Sequence, residues 1–214
     1  MFTLNLGGKS MKVHTSVVVC ILGFFAGVSQ AGPTQWSSAA GGNDHYYQAV
    51  LIESQLSWVD ARDAAVSMGG YLVTLHSEAE NQFIYDLVKN NPSFWSVGLG
   101  GQSVGPWLGG FQLAGSPEPS GNWGWVTAEP FSFTKWSSGE PNNHQGNEHY
   151  LHIYSPLSNT TGDEWNDIPL YDYPHSPPGF IVEFNENPNP IPVPSAFLLC
   201  LFGIGLCRSR LKKQ

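Results

Sequence analysis

Helical periodicity is confined to one short part of this chain, residues 57–89, and this limits the folds that are open to it. Ser57 precedes the segment "WVDARDAAVSMGG", with Asp60 three positions later, so the pattern predicts a capped helix that ends at Gly69. Ser77 precedes "EAENQFIYDLVK", which predicts a second helix. Strand-like segments, "HYYQAVLIES" and "YLVTL", come before each helix, so the predicted order is strand, helix, strand, helix.

The chain changes character after Asn90. Short segments rich in aromatic residues alternate there with Gly, Pro, Asn and Ser; they read "FWSVGL", "GNWGWV", "HYLHIY" and "GFIVEF". Such segments predict antiparallel strands joined by long loops. Together with the two helices they indicate one α+β domain, which we place at residues 44–184. Trp95, Trp123, Trp125 and Trp136 are expected to serve its core rather than to bind a ligand.

The N-terminal residues, 1–31, are predicted to be a secretory signal peptide. Lys12 precedes an apolar run at 17–28, and the small residues Ser29 and Ala31 suit a cleavage site, so the mature chain is expected to begin near Gly32. The run is shorter than a membrane-spanning helix requires, which argues against a permanent anchor.

The C-terminal residues form a Pro-rich linker, 185–195, followed by an apolar run and a basic end, 196–214. The linker is predicted to be extended, and the run is predicted to enter a membrane only transiently. This tail resembles the PEP-CTERM class of bacterial sorting tails, in its variant without a glutamate. The resemblance implies export, contact with the membrane through the tail only, and processing by an exosortase-type peptidase. An ordinary single-pass anchor is the alternative interpretation.

The three cysteines of the chain lie outside the predicted domain. Cys20 is in the signal peptide, and Cys200 and Cys207 are in the tail. The domain therefore contains no disulfide, no thiolate metal site and no cysteine nucleophile, although it is predicted to be exported.

Charge is unevenly distributed along the chain. From Asp44 to Glu186 there are 17 acidic residues and three basic ones, a formal charge of −14. A surface of this sign repels phosphate backbones, so nucleic-acid binding is excluded as a function. It favours cations, or simply solubility.

Five oxygen-bearing side chains in the second half of the domain are candidates for one metal site. The segment "GEPNNHQGNEHY" contributes three of them and "EWNDIP" two; they are Glu140, Asn142, Glu148, Asn166 and Asp167. A cis peptide before Pro141 would bring its two neighbouring side chains together. Three carboxylates and two amide oxygens suit Ca²⁺, which takes about six to eight oxygen ligands, better than they suit a soft metal.

These segments resemble the C-type lectin domain family. The stretch from Trp58 to Phe83 is similar to the family's two-helix half, "FWSVGLGG" to its Trp-Ile-Gly-Leu strand, and "EWND" and "GFIVEF" to its closing strands. The resemblance implies a C-type lectin-like fold in which the five residues bind calcium and sugar together. The Glu-Pro-Asn sequence implies a preference for mannose- or glucose-type sugars, as part of a carbohydrate or exopolysaccharide.

The chain departs from the family at several positions. Tyr150 and Val182 stand where the family usually has a disulfide pair, so packing is expected to replace that bond. Asn143 and His149 replace acidic residues often used by an auxiliary calcium site, so one calcium ion is expected rather than two. The segment between Glu148 and Asn166 is longer than is typical.

Two other function classes compete with sugar binding. One is a calcium-independent scaffold of C-type lectin-like fold for contacts with proteins or extracellular matrix. The other is a zinc or carboxylate hydrolase, but strand alternation sets His149 on the opposite face from His152, and we predict that these histidines and His144 are surface residues. The sequence has no nucleophile elbow and no phosphate-binding loop, so no enzymatic activity is expected.

Overall fold

The structure of the protein is a computed structural model that describes residues 31–52, 56–98, 100–157, 160–170 and 176–188. Two helices, nine strands and three short 3₁₀ turns follow one another along these residues. Their bounds are β1 Thr34–Gln35, a turn Ser38–Ala40, β2 Tyr46–Leu51, α1 Trp58–Ser67, β3 Tyr71–Leu72, α2 Glu78–Val88, a turn Pro92–Phe94, β4 Ser96–Val97, β5 Ser103–Gln112, β6 Trp123–Trp125, a turn His144–Gly146, β7 Tyr150–Ser155, β8 Glu164–Ile168 and β9 Gly179–Phe184.

Both predicted helices form, and each begins at its predicted cap. The hydroxyl of Ser57 accepts a hydrogen bond from the backbone N–H of Asp60, at 3.1 Å, and the hydroxyl of Ser77 does the same for Glu80, at 3.2 Å. These bonds satisfy backbone donors that a helix start leaves without partners. The α+β class predicted from the sequence is confirmed.

All nine strands belong to one sheet. Its main path runs β1–β2–β9–β5–β7–β8, with β3 paired to β9 and with β4 and β6 paired to β5. The neighbours are antiparallel except for β5 and β9, which are parallel where Trp107 meets Phe180. The candidate ligands at 166 and 167 therefore lie on β8, at one edge of the sheet, beside the strand that follows Glu148.

Strand β5 is the longest strand and was not predicted. Its sequence contains three glycines and a proline, residues that indicate loops when read alone. The tertiary structure requires the glycines: a Cβ on Gly109 would lie 2.5 Å from the carbonyl oxygen of Leu72, and one on Gly110 would lie 2.6 Å from a methyl carbon of Leu151. The pairing of β5 with β7 also shifts register twice, which accommodates the irregular sequence. The predicted strand "YLVTL" is correspondingly short and covers only Tyr71–Leu72.

The sheet carries an apolar cluster on each face. Alternation along β9 places Ile181 in the cluster beneath α2, and places Phe180 and Val182 in the cluster beneath α1. Val182 is fully buried, and the half-buried Tyr150 packs into the same cluster. The two residues at the family's disulfide position thus contribute to one apolar core, as expected for a domain without that bond.

A buried polar network joins α2 to the sheet. The hydroxyl of Tyr47 donates to the carboxylate of Glu80 at 2.8 Å and lies 3.3 Å from that of Glu183. Glu80 also accepts from the backbone N–H of His76, and Glu183 from that of Thr74. Burial raises the pKa of Glu80 above its ordinary value. This network connects the start of α2 to β2 and β9. The capping residue of α2 predicts where the helix begins but not these contacts with the sheet.

The signal peptide and the sorting tail were predicted at residues 1–31 and 196–214, almost entirely outside the described residues. Among the residues that are described, no helix is both long and apolar enough to cross a membrane.

Candidate functional site

The loop between Gly139 and Glu148 turns sharply several times. The peptide bond between Glu140 and Pro141 is cis, the geometry in which the side chains on either side of Pro141 can point together. Asn143 and Gln145 both adopt positive φ angles, of 47° and 60°. Asparagine tolerates this left-handed region better than most residues do. With these turns, the backbone N–H groups of Asn142, Asn143 and His144 point toward the carboxylates of Asp167 and Glu148.

Asp167 anchors the first half of this loop. Its side chain is fully buried on β8, and its two carboxylate oxygens accept the backbone N–H groups of Asn142, at 3.1 Å, and of Asn143, at 2.9 Å. Burial is the main cause of a raised pKa at Asp167, which these two bonds partly offset. One carboxylate thus positions the segment that contains two other candidate ligands.

Glu148 anchors the second half of the loop. Its carboxylate accepts the backbone N–H of His144 at 2.7 Å, and its own backbone N–H donates to the side-chain oxygen of Asn143 at 3.0 Å. Asn143 therefore bonds to both anchors, through its backbone to Asp167 and through its side chain to Glu148. In the sequence, Asn143 stands out only as the replacement for an acidic residue of an auxiliary calcium site; its linking role follows from its neighbours in space.

Glu140 lies against Asp167. The charge of Asp167 acts directly on the carboxyl group of Glu140, and the Oε2 atom of Glu140 is buried without a hydrogen-bond partner among the described residues. Burial, followed by the negative charge of Asp167, raises the pKa of Glu140 to about 7. Two carboxylates this close repel each other when both are ionised, unless a proton or a cation lies between them.

Asn166 adds a further unpaired oxygen. It is 7% exposed, and its Oδ1 atom is buried with no hydrogen-bond partner in the described part of the chain. Buried acceptors that lack a donor are rare in folded proteins and call for a specific explanation. A hard cation is one kind of partner that satisfies a buried amide oxygen.

Hydrogen bonds connect three of the five predicted residues, Asn142, Glu148 and Asp167, with Asn143 as the link between the last two. The other two lie beside this group: Glu140 interacts with Asp167 through its charge, and Asn166 precedes Asp167 on β8. Within the described residues, no cluster of three or more acidic, histidine or cysteine side chains is arranged to hold a metal. The donor set is a mixture of carboxylates and amides, which fits a hard cation such as Ca²⁺.

Residues 54–173 match the family described as Lectin C-type domain, more than half of the chain. The chain belongs to the C-type lectin domain family.

Two named lectins are among the proteins similar to this chain. The chain is 34% identical over 121 residues to ladderlectin of Oncorhynchus mykiss, covering 56% of this chain and 54% of that protein. It is 27% identical over 169 residues to a C-type lectin of Micrurus corallinus, covering 74% and 92%. The chain therefore spans about half the length of the first relative and nearly all of the second.

Solved structures share the C-type lectin-like fold. The EPNH mutant of the lectin CEL-I has a TM-score of 0.51 at 25% identity, covering 71% of this chain and 94% of that one. A calcium-independent type II antifreeze protein has a TM-score of 0.50 at 19% identity, covering 73% and 94%. The second likeness shows the fold alone.

One of the three histidines predicted to be surface residues of this C-type lectin domain differs from the prediction. His144 is exposed and His149 is half-buried, with its Nδ1 atom 3.1 Å from the side-chain oxygen of Gln112. His152, predicted to be a surface residue, is instead fully buried in β7. The prediction was wrong because both faces of β7 are covered: Leu151 and Ile153 belong to one apolar cluster and Tyr150 packs against the other, so alternation does not expose either face.

Proposed function

We propose that this domain binds carbohydrate through a calcium ion held by Glu140, Asn142, Glu148, Asn166 and Asp167. The observation that carries the proposal is that two of these residues, Glu140 and Asn166, each have a buried side-chain oxygen with no hydrogen-bond partner among the described residues. The amide oxygen and the ionised carboxylate oxygen are both of the kind that Ca²⁺ prefers as ligands. Membership of the C-type lectin family supports the same assignment.

The ion and the side chains would contribute different interactions with the sugar. Bound Ca²⁺ supplies coordination positions that two neighbouring sugar hydroxyls can occupy in place of water. The carboxylates of Glu140 and Glu148 accept hydrogen bonds from those hydroxyls, and the amides of Asn142 and Asn166 donate to them. Asp167 holds the loop in place through two backbone N–H groups. The same side chains thus orient both the cation and the sugar.

The proposed ligand class is mannose- or glucose-type sugar. The Glu140-Pro141-Asn142 sequence supports this class through the family resemblance, and the exposed position of Asn142 leaves its amide accessible. A single shallow site buries few groups, so the affinity for a monosaccharide is expected to be around millimolar. Strong attachment to a polysaccharide would then depend on several domains acting together.

Calorimetry of residues 32–188 tests the proposal. We expect wild-type protein to release or absorb heat on titration with Ca²⁺ and then, only when calcium is present, with methyl mannoside. Glu140→Gln keeps the size of the side chain but removes a charged ligand, so we expect calcium affinity to fall roughly 100-fold. Glu118→Gln is a matched control, because Glu118 also precedes a cis-proline but lies outside the candidate site.

Three results of the calorimetry would contradict or limit the proposal. Absence of a calcium signal in wild-type protein would favour the calcium-independent scaffold for proteins or matrix. Undiminished calcium binding by Glu140→Gln would put the ion at another place. Calcium binding without any sugar signal would limit the proposal to a cation site.

We further propose that the protein is exported and acts at the cell envelope or cell surface, with transient or retained anchoring by the tail. The apolar leader at residues 1–31 and the PEP-CTERM-like tail at 196–214 support this location, and an exosortase-type peptidase is the proposed partner for the tail. Intact-mass measurement on protein recovered from cells is expected to show a chain that begins near Gly32 and ends near residue 195. A chain that retains both ends would contradict export by this route.

A further inference from the structure

The turn that leads into Glu140 begins at Ser137. The backbone N–H of Glu140 donates to the carbonyl oxygen of Ser137 at 3.0 Å and closes a four-residue turn, in which Gly139 adopts a positive φ of 95°. The backbone N–H of Ser137 in turn donates to the carbonyl oxygen of Trp165 on β8, at 2.9 Å. The backbone that carries Glu140 is thus connected to β8 through Ser137.

Glu164, the first residue of β8, holds the side chain of Ser137. The hydroxyl of Ser137 donates a hydrogen bond to the Oε2 atom of Glu164. Ser137 is only 5% exposed, whereas Glu164 is half-buried. A buried hydroxyl needs an acceptor, and a hydrogen bond to a carboxylate is stronger than one to a neutral group. The bond therefore adds a side-chain contact to the backbone bonds that fix Ser137.

The chain is bound to the same strand on the other side of Glu140. The backbone N–H of Asn142 donates to the carboxylate of Asp167, at 3.1 Å. Glu140 thus lies between two residues, Ser137 and Asn142, that are each bonded to β8. A ligand whose backbone is fixed before the cation binds loses less conformational entropy on binding than a mobile one does.

We propose that Glu164 is a positioning residue for Glu140 and that it acts through the hydroxyl of Ser137. It serves the site by holding the turn, and neither Glu164 nor Ser137 is one of the five candidate ligands. The inference rests on the proposed function, because it requires Glu140 to bind the cation.

Substitutions at positions 137 and 164 test the proposal by calorimetry with Ca²⁺. We expect Ser137→Ala and Glu164→Ala each to bind Ca²⁺ at least about 10-fold more weakly than wild type, as is typical when a group that orients a metal ligand is lost. The double variant is expected to bind as weakly as either single variant, because all three lack the same hydrogen bond. Glu164→Gln keeps an acceptor for the Ser137 hydroxyl but removes the charge, so it is expected to recover most of the affinity.

Glu129→Ala is the matched control for the loss of a negative charge. The carboxylate of Glu129 also accepts from a hydroxyl, that of Thr127 at 2.7 Å, and its other contacts are with Thr74 and His76, outside the candidate site. We expect this variant to bind Ca²⁺ like wild type.

Hydrogen exchange in the calcium-free domain measures the turn itself. The amide of Glu140 is expected to be protected in wild type and to exchange at least about 10-fold faster in Ser137→Ala and Glu164→Ala. The amide of Trp165, which donates to the carbonyl oxygen of Lys135 at 2.8 Å, is expected to keep its protection in both variants. An unprotected Glu140 amide in wild type would contradict the proposal without the use of any variant.

Other results would also overturn the proposal. Unchanged calcium affinity in Ser137→Ala would show that the turn does not depend on its hydroxyl. Equal losses in Glu164→Gln and Glu164→Ala would assign the effect to charge, and additive losses in the double variant would show that the two residues act separately. If the wild-type domain binds no calcium, the proposed function fails and this inference fails with it; every other contrary result leaves calcium binding by wild type intact.

Discussion

Replacement of Trp165 by alanine is expected to lower the free energy of unfolding by about 4 kcal/mol, the largest effect of a single substitution that we predict. Trp165 is fully buried and contacts the rings of four other aromatic residues at centre distances of 5.5–6.2 Å; they are Trp125, Phe131, Phe133 and Trp136. Its indole N–H also donates to the side chain of Asn81 at 2.7 Å. The substitution removes these contacts and leaves a buried amide without its donor.

The stability of Trp165→Ala can be measured by urea denaturation followed by circular dichroism. Trp36→Ala is the matched control: Trp36 is half-buried and stacks on Phe83 at 5.6 Å, so its loss is expected to cost less than half as much. Because the domain has no disulfide to limit unfolding, Trp165→Ala is expected to be largely unfolded at 37 °C. Equal stability of the two variants would show that the aromatic cluster around Trp165 is not the centre of the core.

The calcium-free domain is expected to be more stable at pH 5 than at pH 8. The pKa of Glu140 rises from its ordinary 4.5 to about 7 in the folded protein, so the folded state binds a proton more tightly than the unfolded state. The free energy of unfolding should therefore fall as pH rises from about 4.5 to about 7 and then level off, by up to about 3 kcal/mol. Calcium should reverse the trend, because it binds the ionised carboxylates and competes with protons.

Thermal denaturation in a chelator, and again with excess Ca²⁺, tests this pH dependence. Glu140→Gln cannot titrate, so the calcium-free variant should lose much of the difference between pH 5 and pH 8. The raised pKa values of Asp167 and Glu80 leave a smaller dependence in the same direction. A pH dependence in the variant as large as that of wild type would show that Glu140 is ionised in the folded domain.

The helices are the part of the fold that local sequence predicted best. Ser57 and Ser77 cap the helices to which they were assigned, because capping depends on residues only three positions apart. Strand β5 was missed for the opposite reason. Its glycines are explained by the backbone of Leu72 and the side chain of Leu151, which are distant in sequence and close only after folding.

In the candidate site, too, some features could be predicted from the sequence and others depend on tertiary contacts. Residue types and spacing were enough to nominate Glu140, Asn142, Glu148, Asn166 and Asp167, since oxygen ligands for a hard cation are recognisable in the sequence. The hydrogen bonds from the loop to Asp167 span about 25 positions, and the link through Asn143 depends on a left-handed backbone conformation. Neither these hydrogen bonds nor this link can be predicted from the spacing of the residues in the sequence.

By itself, the sequence determined the α+β class, the two capped helices, the cysteine-free domain and the oxygen-rich chemistry of the loop from Gly139 to Glu148. Only the tertiary structure decided that His152 is buried, that it lies opposite Asn166, and that the charge of Asp167 acts on the carboxyl group of Glu140. The physical reason is that residue type and near-neighbour spacing govern local conformation and ligand preference. Burial and the pKa of a carboxyl group depend instead on which distant strands pack around it.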